Sequence, residues 1–192
     1  MKNINIILAS ASLRRQQFFK ELHLNYEVIL KPIDETYPEN LRKEEITDYL
    51  SVQKAKPFYG TLKNNDMLIT SDTIVWHEGK ALGKPKDYNE GFEMLKSLSG
   101  KQHEVITSVC FTTLTKQKLV NCVTKVTFKQ FTDNEIDFYL TEYKPYDKAG
   151  AYGIQEWIGY VGVTAIEGSY NNVIGLPTHL VYNVLKEFEE VD

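Results

Sequence analysis

The chain has 192 residues, 42% hydrophobic and 25% charged, with 22 basic against 26 acidic side chains and a net charge of −4. That balance excludes a wholly disordered chain, and at this length it points to one domain over residues 1–192. It does not suit a protein that grips long nucleic acid through a basic face, or one that works mainly on an anionic membrane. The N-terminal apolar run, Ile4 to Ala9, is too short for a signal peptide and is soon followed by Arg14-Arg15. No segment approaches the roughly 18 apolar residues of a membrane span. Cys110 and Cys122 form no disulfide framework. They could face each other across a hairpin, but a reduced pair in the cytoplasm is the expectation.

In chain order, residues 4–9 read as a buried strand ending in small residues. Ser12 is a natural N-cap for a helix from Leu13 to His23. Tyr26 to Leu30 is a second strand, and Glu44 to Lys56 a helix with Ile46, Tyr49, Leu50 and Ala55 on one side, stopped by Pro57. Met67 to Trp76 is strand-like but interrupted by Ser71-Asp72-Thr73, with a turn at Glu78-Gly79. Asp87 to Glu90 is a capping-box variant opening a helix to Leu98, ended by Ser99-Gly100. Val105 to Leu114 and Leu119 to Phe128 form a hairpin, and Thr132 to Glu135 caps a helix through Tyr143. A strand is expected over Tyr160 to Ile166 and a last helix from near Pro177. The order is mixed α/β, with crossovers early and antiparallel strands later.

Several polar groups stand against this pattern. Ser10-Ala11-Ser12-Leu13-Arg14-Arg15 joins a strand to a helix N-terminus carrying two hydroxyls and two guanidiniums. Free N–H groups and the positive dipole end make such a terminus an anion site, and the arginine fork matches phosphate. A capped helix with solvated arginines would look the same. Asp72 breaks an apolar strand, where a carboxylate must be paired, metal-bound or hydrogen-bonded unless it simply turns the chain. Asp34-Glu35 reads locally as a solvated acidic loop, and Lys84, between Gly83 and Pro85, as part of an ordinary turn. Asp147 to Gln155 is rich in small residues that permit close backbone approach, and Gln155 can both donate and accept. Gly168 to Pro177 reads as a loop leading into a helix. There is no Walker A sequence, no dinucleotide-binding glycine fingerprint and no nucleophile elbow. His23, His77, His103 and His179 lack zinc-ligand spacing, and His103 reads as structural.

Taken together these segments resemble the Maf family of nucleotide pyrophosphatases. Leu8 to Arg15 resembles its opening signature. Ser71-Asp72-Thr73, Gly83-Lys84-Pro85 and Ser99 to His103 resemble its central motifs, and Asp147 to Gln155 and Gly168 to Pro177 its C-terminal ones. The resemblance implies an α/β (mixed α+β) fold: an elongated mixed β-sheet with flanking helices, in two lobes around a cleft, shared with inosine triphosphatase-like enzymes. The intact Lys148 to Gln155 run resembles the branch that hydrolyses dTTP and UTP, and modified pyrimidine triphosphates are further candidate substrates. By resemblance, Asp72 is the catalytic carboxylate and, with Glu35, the ligand of Mg²⁺ or Mn²⁺. Lys54 and Lys84 join them at the phosphates, Ser10 and Arg15 hold phosphate, and Arg14, Thr73 and Gln155 set base preference. The resemblance also implies a homodimer.

Three positions depart from the family pattern. Leu13 stands where proline is usual, Ser71 where alanine or glycine is usual, and Glu156-Trp157 where a glycine-containing pair is common. The last bears on base selectivity rather than on the chemistry. Two other readings stay open at this stage: the same cleavage on another base, such as 7-methyl-GTP, and a nucleotide-responsive regulator of septum formation that binds without turnover.

Overall fold

Strands and helices alternate along residues 4–189, the part of the chain that the computed structural model describes. In chain order they are β1 (Asn5–Leu8), α1 (Leu13–Glu21), β2 (Tyr26–Val28), α2 (Glu44–Ala55), β3 (Asp66–His77), β4 (Lys80–Leu82) and α3 (Tyr88–Leu98). Then follow β5 (Gln102–Thr112), β6 (Gln117–Phe128), α4 (Asp133–Tyr143), α5 (Trp157–Gly162), β7 (Val163–Glu167), α6 (Tyr170–Ile174) and α7 (Thr178–Glu189). The strands form one mixed sheet in the order β2-β1-β3-β5-β6-β7, with β4 paired to β3. β1 runs parallel to both neighbours, placing Ile6 beside Tyr26 and Met67, and β6–β7 is antiparallel.

Contacts divide the chain into two compact units. The first holds the described residues up to Asp72, Thr107–Cys122 and those from Gly175; the second holds Thr73–Ile106 and Val123–Ile174. β3, β5 and β6 therefore each contribute to both. In the first unit β1 is a short apolar run buried on both faces, as a parallel central strand requires. Ile6 and Leu8 pack with Phe19, Phe111, Val181 and Leu185, while Ile7 packs with Ala55, Phe58 and Leu68. In the second unit Leu95 and Leu98 of α3, Ile136, Tyr139 and Leu140 of α4, and Phe128, Tyr152 and Ile158 form one cluster.

Local capping chemistry works as the sequence indicates. Ser12 accepts from Arg15 N and Asp87 from Glu90 N, and Thr132 with Glu135 forms a reciprocal capping box. The Glu90 carboxylate accepts from Lys86 N instead of closing back on Asp87. α2 passes into a single 3₁₀ turn at Lys56–Phe58, which takes Pro57 in its first turn. Two expectations need correction. β3 is not interrupted at Ser71-Asp72-Thr73 but runs unbroken from Asp66 to His77, because the Asp72 carboxylate is paired. Residues 157–162 are helical and the strand begins only at Val163. The reason is a close approach. A Cβ on Gly159 would lie 1.8 Å from the Ile154 carbonyl oxygen, so glycine alone permits this turn, and a propensity argument scores glycine against a helix. Both cysteines are free. The β5–β6 turn closes with Thr113 N donating to Lys116 O, a register that sets Cys110 opposite Leu119 and Cys122 opposite Thr107.

Candidate active site

The strand-to-helix junction after β1 is built by its serines. Ser12 N donates to Ser10 Oγ at 3.3 Å, Arg15 N donates to Ser12 Oγ at 3.4 Å, and Gln16 Nε2 donates to Ser10 O at 3.2 Å. The first turn of α1 carries no acid, so nothing local offsets its positive end. Arg15 is not a solvated arginine. Its Nε donates to Gly175 O at 2.9 Å and a terminal nitrogen to Ser71 O at 3.0 Å. Burial lowers its pKa to about 10, against the opposing pull of the Asp72 and Glu35 charges and with the help of neighbouring Arg14. The guanidinium is still charged at neutral pH.

Asp72 lies in the middle of β3 with its side chain buried. Lys54, in the last turn of α2, donates to Asp72 Oδ1 at 2.6 Å and sits 3.1 Å from Glu35 Oε1 and 3.5 Å from Ser71 O. One ammonium thus bridges two carboxylates: Asp72, about nine-tenths buried, and Glu35, about half exposed. The Asp72 pair explains how an unbroken apolar strand holds a carboxylate. Glu35 is therefore not merely a solvated acid. Ser71 Oγ, next to Asp72, is buried and makes no hydrogen bond among the described residues.

The first unit therefore brings together Ser10, Arg15, Glu35, Lys54 and Asp72, with Arg14 half-buried in the same helical turn as Arg15. Among the described residues no cluster of three or more His, Cys, Asp or Glu is placed to hold a metal. The donor set is two carboxylates, here bridged by Lys54. That set fits Mg²⁺, which binds through one or two carboxylates and completes its shell with waters and substrate phosphates.

Thr73, Lys84 and Gln155 belong to the second unit. Thr73 follows Asp72 and, by strand alternation, points to the opposite face of β3. Lys84 is exposed, just after β4. Gly150 N donates to Gly83 O at 3.0 Å, which joins the Gly83-Lys84-Pro85 turn to the Asp147–Gln155 loop. Gly150 has a φ of +68°, and a Cβ there would meet Val75 at 2.8 Å, so the contact depends on glycine. Gln155 is half-buried, and its Oε1 makes no hydrogen bond among the described residues.

Sequence reasoning missed the supports of this loop. Tyr139 OH donates to Glu156 Oε2 and accepts from Gly153 N at 2.9 Å, while Lys148 Nζ lies 3.2 Å from Glu156 Oε1. Glu156, noted in the sequence only as a departure, ties the loop together. The Gly168–Pro177 segment is anchored by Asn172, whose buried Nδ2 donates to Val105 O and Thr124 Oγ1, both at 3.0 Å.

A family model described as Maf-like protein matches residues 5–188. A protein of Christiangramia forsetii named dTTP/UTP pyrophosphatase is 58% identical over 187 residues, 97% of this chain and 95% of that one. One of Phocaeicola vulgatus with the same name is 48% identical over 188 residues, 97% of each chain. The solved structure of a HAM1 protein from Coxiella burnetii superposes with a TM-score of 0.51 over 96% of this chain and 99% of that one. At 15% identity, that likeness concerns the fold alone.

Proposed function

This chain belongs to the Maf family, and from that membership we propose that it hydrolyses dTTP and UTP to the nucleoside monophosphate and pyrophosphate. The observation that carries the reading is Lys54 held between Asp72 and Glu35 in the unit that also contains the serine- and arginine-bearing N-terminus of α1. The close relatives named dTTP/UTP pyrophosphatase support the substrate.

In the reaction, water oxygen bonds to the α-phosphorus and the bond from that phosphorus to the α–β bridging oxygen breaks. Asp72 takes the water proton, a role in which a positioned base contributes about 10²–10⁴-fold. Ser10 and the positive N-terminal end of α1 bind phosphate oxygens, and Arg15 supplies a fixed positive charge. Lys54 and Lys84 stabilise charge that grows on the leaving pyrophosphate. Asp72 and Glu35 are the residues that would hold Mg²⁺ or Mn²⁺, and a bound cation would polarise the phosphoryl group and acidify the attacking water. Gln155, with Arg14 and Thr73, sets base preference. Its unpartnered Oε1 is an acceptor for the N3–H that thymine and uracil carry and cytosine lacks.

The whole chain acts as one pyrophosphatase domain in this reading, and the family model spanning residues 5–188 supports that. Two free cysteines suit a reducing cytoplasm. The homodimer is checked by light scattering. Activity is tested by resolving the products of dTTP, UTP, GTP and 7-methyl-GTP with Mg²⁺ or Mn²⁺. Monophosphate and pyrophosphate from dTTP and UTP are expected. Orthophosphate with a nucleoside diphosphate, or preference for 7-methyl-GTP, would overturn the reading.

A further inference from the structure

α2 meets the sheet of the first unit through hydroxyls and carbonyls as well as through apolar side chains. Thr47, Ser51, Thr70 and Ser108 are all completely buried. Thr47 Oγ1 and Ser108 Oγ share a hydrogen bond of 2.7 Å, and Ser108 Oγ donates onward to Asp48 Oδ1 at 2.5 Å. Asn121 Nδ2, from the strand position opposite Ser108, reaches both Asp48 oxygens at 3.2 Å. One turn further along the helix, Thr70 Oγ1 donates to Ser51 O at 2.7 Å. One turn beyond that, Lys54 meets Asp72.

These positions, 47, 48, 51 and 54, follow the three- and four-residue spacing of one helix face. Their partners on β3 keep the two-residue alternation: Thr70 and Asp72 point to the same side of the strand. The seam thus runs from the β5–β6 hairpin to the carboxylate, and only its last step belongs to the candidate chemistry.

Apolar packing is non-directional and tolerates small slides and rotations of a helix on a sheet. A hydrogen-bonded seam does not. A slip of one residue moves a helix by about 1.5 Å and turns it by roughly 100°, which would leave these buried groups without partners. The lysine tip depends on that registry, since four flexible carbons link its ammonium to the helix.

We infer that the polar seam of α2 sets where the Lys54 ammonium stands against Asp72, which makes Thr70 and Asp48 positioning residues for the hydrolysis. The inference rests on the proposed role of Lys54. Asp48 acts as the charged anchor, because hydrogen bonds to an ionised acceptor are shorter and stronger than neutral ones. Thr70 ties α2 to the strand two residues before Asp72.

The test is steady-state hydrolysis of dTTP by Thr70→Val, Thr70→Ser, Asp48→Asn and Lys54→Met, with the melting temperature of each. Thr70→Val keeps the shape and removes the hydroxyl. Its kcat should fall about tenfold with KM within about twofold, a smaller loss than the ~100-fold that a 1 Å misplacement can cost. Thr70→Ser returns the hydroxyl and should restore most of kcat, which a packing role for the lost methyl would not allow. Asp48→Asn is isosteric and half-buried, so it folds even if Thr70→Val does not, and its kcat should fall about threefold as charge-assisted bonds become neutral ones. Wild-type kcat in both Thr70→Val and Asp48→Asn, beside an inactive Lys54→Met, overturns the inference and leaves the proposed function standing. So does a loss in Thr70→Val that Thr70→Ser does not restore. Full activity of Lys54→Met removes the role of Lys54 and the inference with it.

Discussion

In the first unit, charged side chains gather at the candidate site: Lys54 spans Asp72 and Glu35, and Arg15 is bound to the carbonyls of Ser71 and Gly175. In the second, beside the Lys148–Glu156 pair, neutral polar rings are folded into an aromatic core. His103 Nε2 and Tyr152 OH are 2.7 Å apart, and Phe128 packs against both rings. Burial, with some help from the charge of His77, pushes the His103 pKa down to about 3, and burial pushes the Tyr152 phenol up. Burial, reinforced by the hydrogen bond to Glu156, raises Tyr139 as well. Both phenols and the imidazole therefore stay neutral near neutral pH. The difference teaches a division of labour: one unit gathers charged groups on two carboxylates and a helix N-terminus, and the other holds shape around a loop that ends in Gln155.

The largest way to break this comparison is Asp72→Asn. Pyrophosphate release should fall by about 10²–10⁴-fold for every nucleotide, with the circular dichroism of a folded protein. Retained turnover would take the chemistry away from the first unit. Gly159→Ala strikes the second unit through its backbone, since the added methyl meets the Ile154 carbonyl at 1.8 Å. It should cost about 3 kcal/mol, read as a lower midpoint in chemical denaturation. An unchanged midpoint would mean that the Gln155 loop is not rigidly held.

Gln155→Leu sharpens the contrast further. It should lower the preference for dTTP over dCTP by about tenfold, as removal of a hydrogen-bonding reader does, while dTTP is still cleaved between the α- and β-phosphates. The smallest effect concerns pH. Folded His103 titrates near 3 against 6.5 for the free side chain. Below pH 6.5 the unfolded chain therefore binds a proton that the folded one refuses. Stability from this group is complete above that pH and falls on acidification, by on the order of 1 kcal/mol per pH unit. Denaturation midpoints between pH 7 and 5 should drop less steeply in His103→Gln than in the wild type.

What could be read from the sequence was what is local. The caps at Ser12, Asp87 and Thr132 are formed by residues within three positions of their partners. The segments that resemble a family could be read as well, because each is short and contiguous. Pairings at a distance could not. Asp72 looked like a break in a strand because Lys54, eighteen residues earlier, carries no local sign that it neutralises it. Asp48, Ser108 and Asn121 are separated by 60 and 73 residues, and single polar residues in a helix and two strands look like surface. The helix at Trp157–Gly162 was hidden by its own glycines, which are set by contacts with Ile154 and Phe131 instead of by propensity.

The most direct test of the division is the initial rate of pyrophosphate release across dTTP, UTP, dCTP and 7-methyl-GTP, measured for the wild type, Asp72→Asn and Gln155→Leu. The account expects Asp72→Asn to lower every rate without reordering the nucleotides, and Gln155→Leu to reorder them while its best substrate is still turned over rapidly. A uniform collapse in Gln155→Leu, or a reordering in Asp72→Asn, would contradict it.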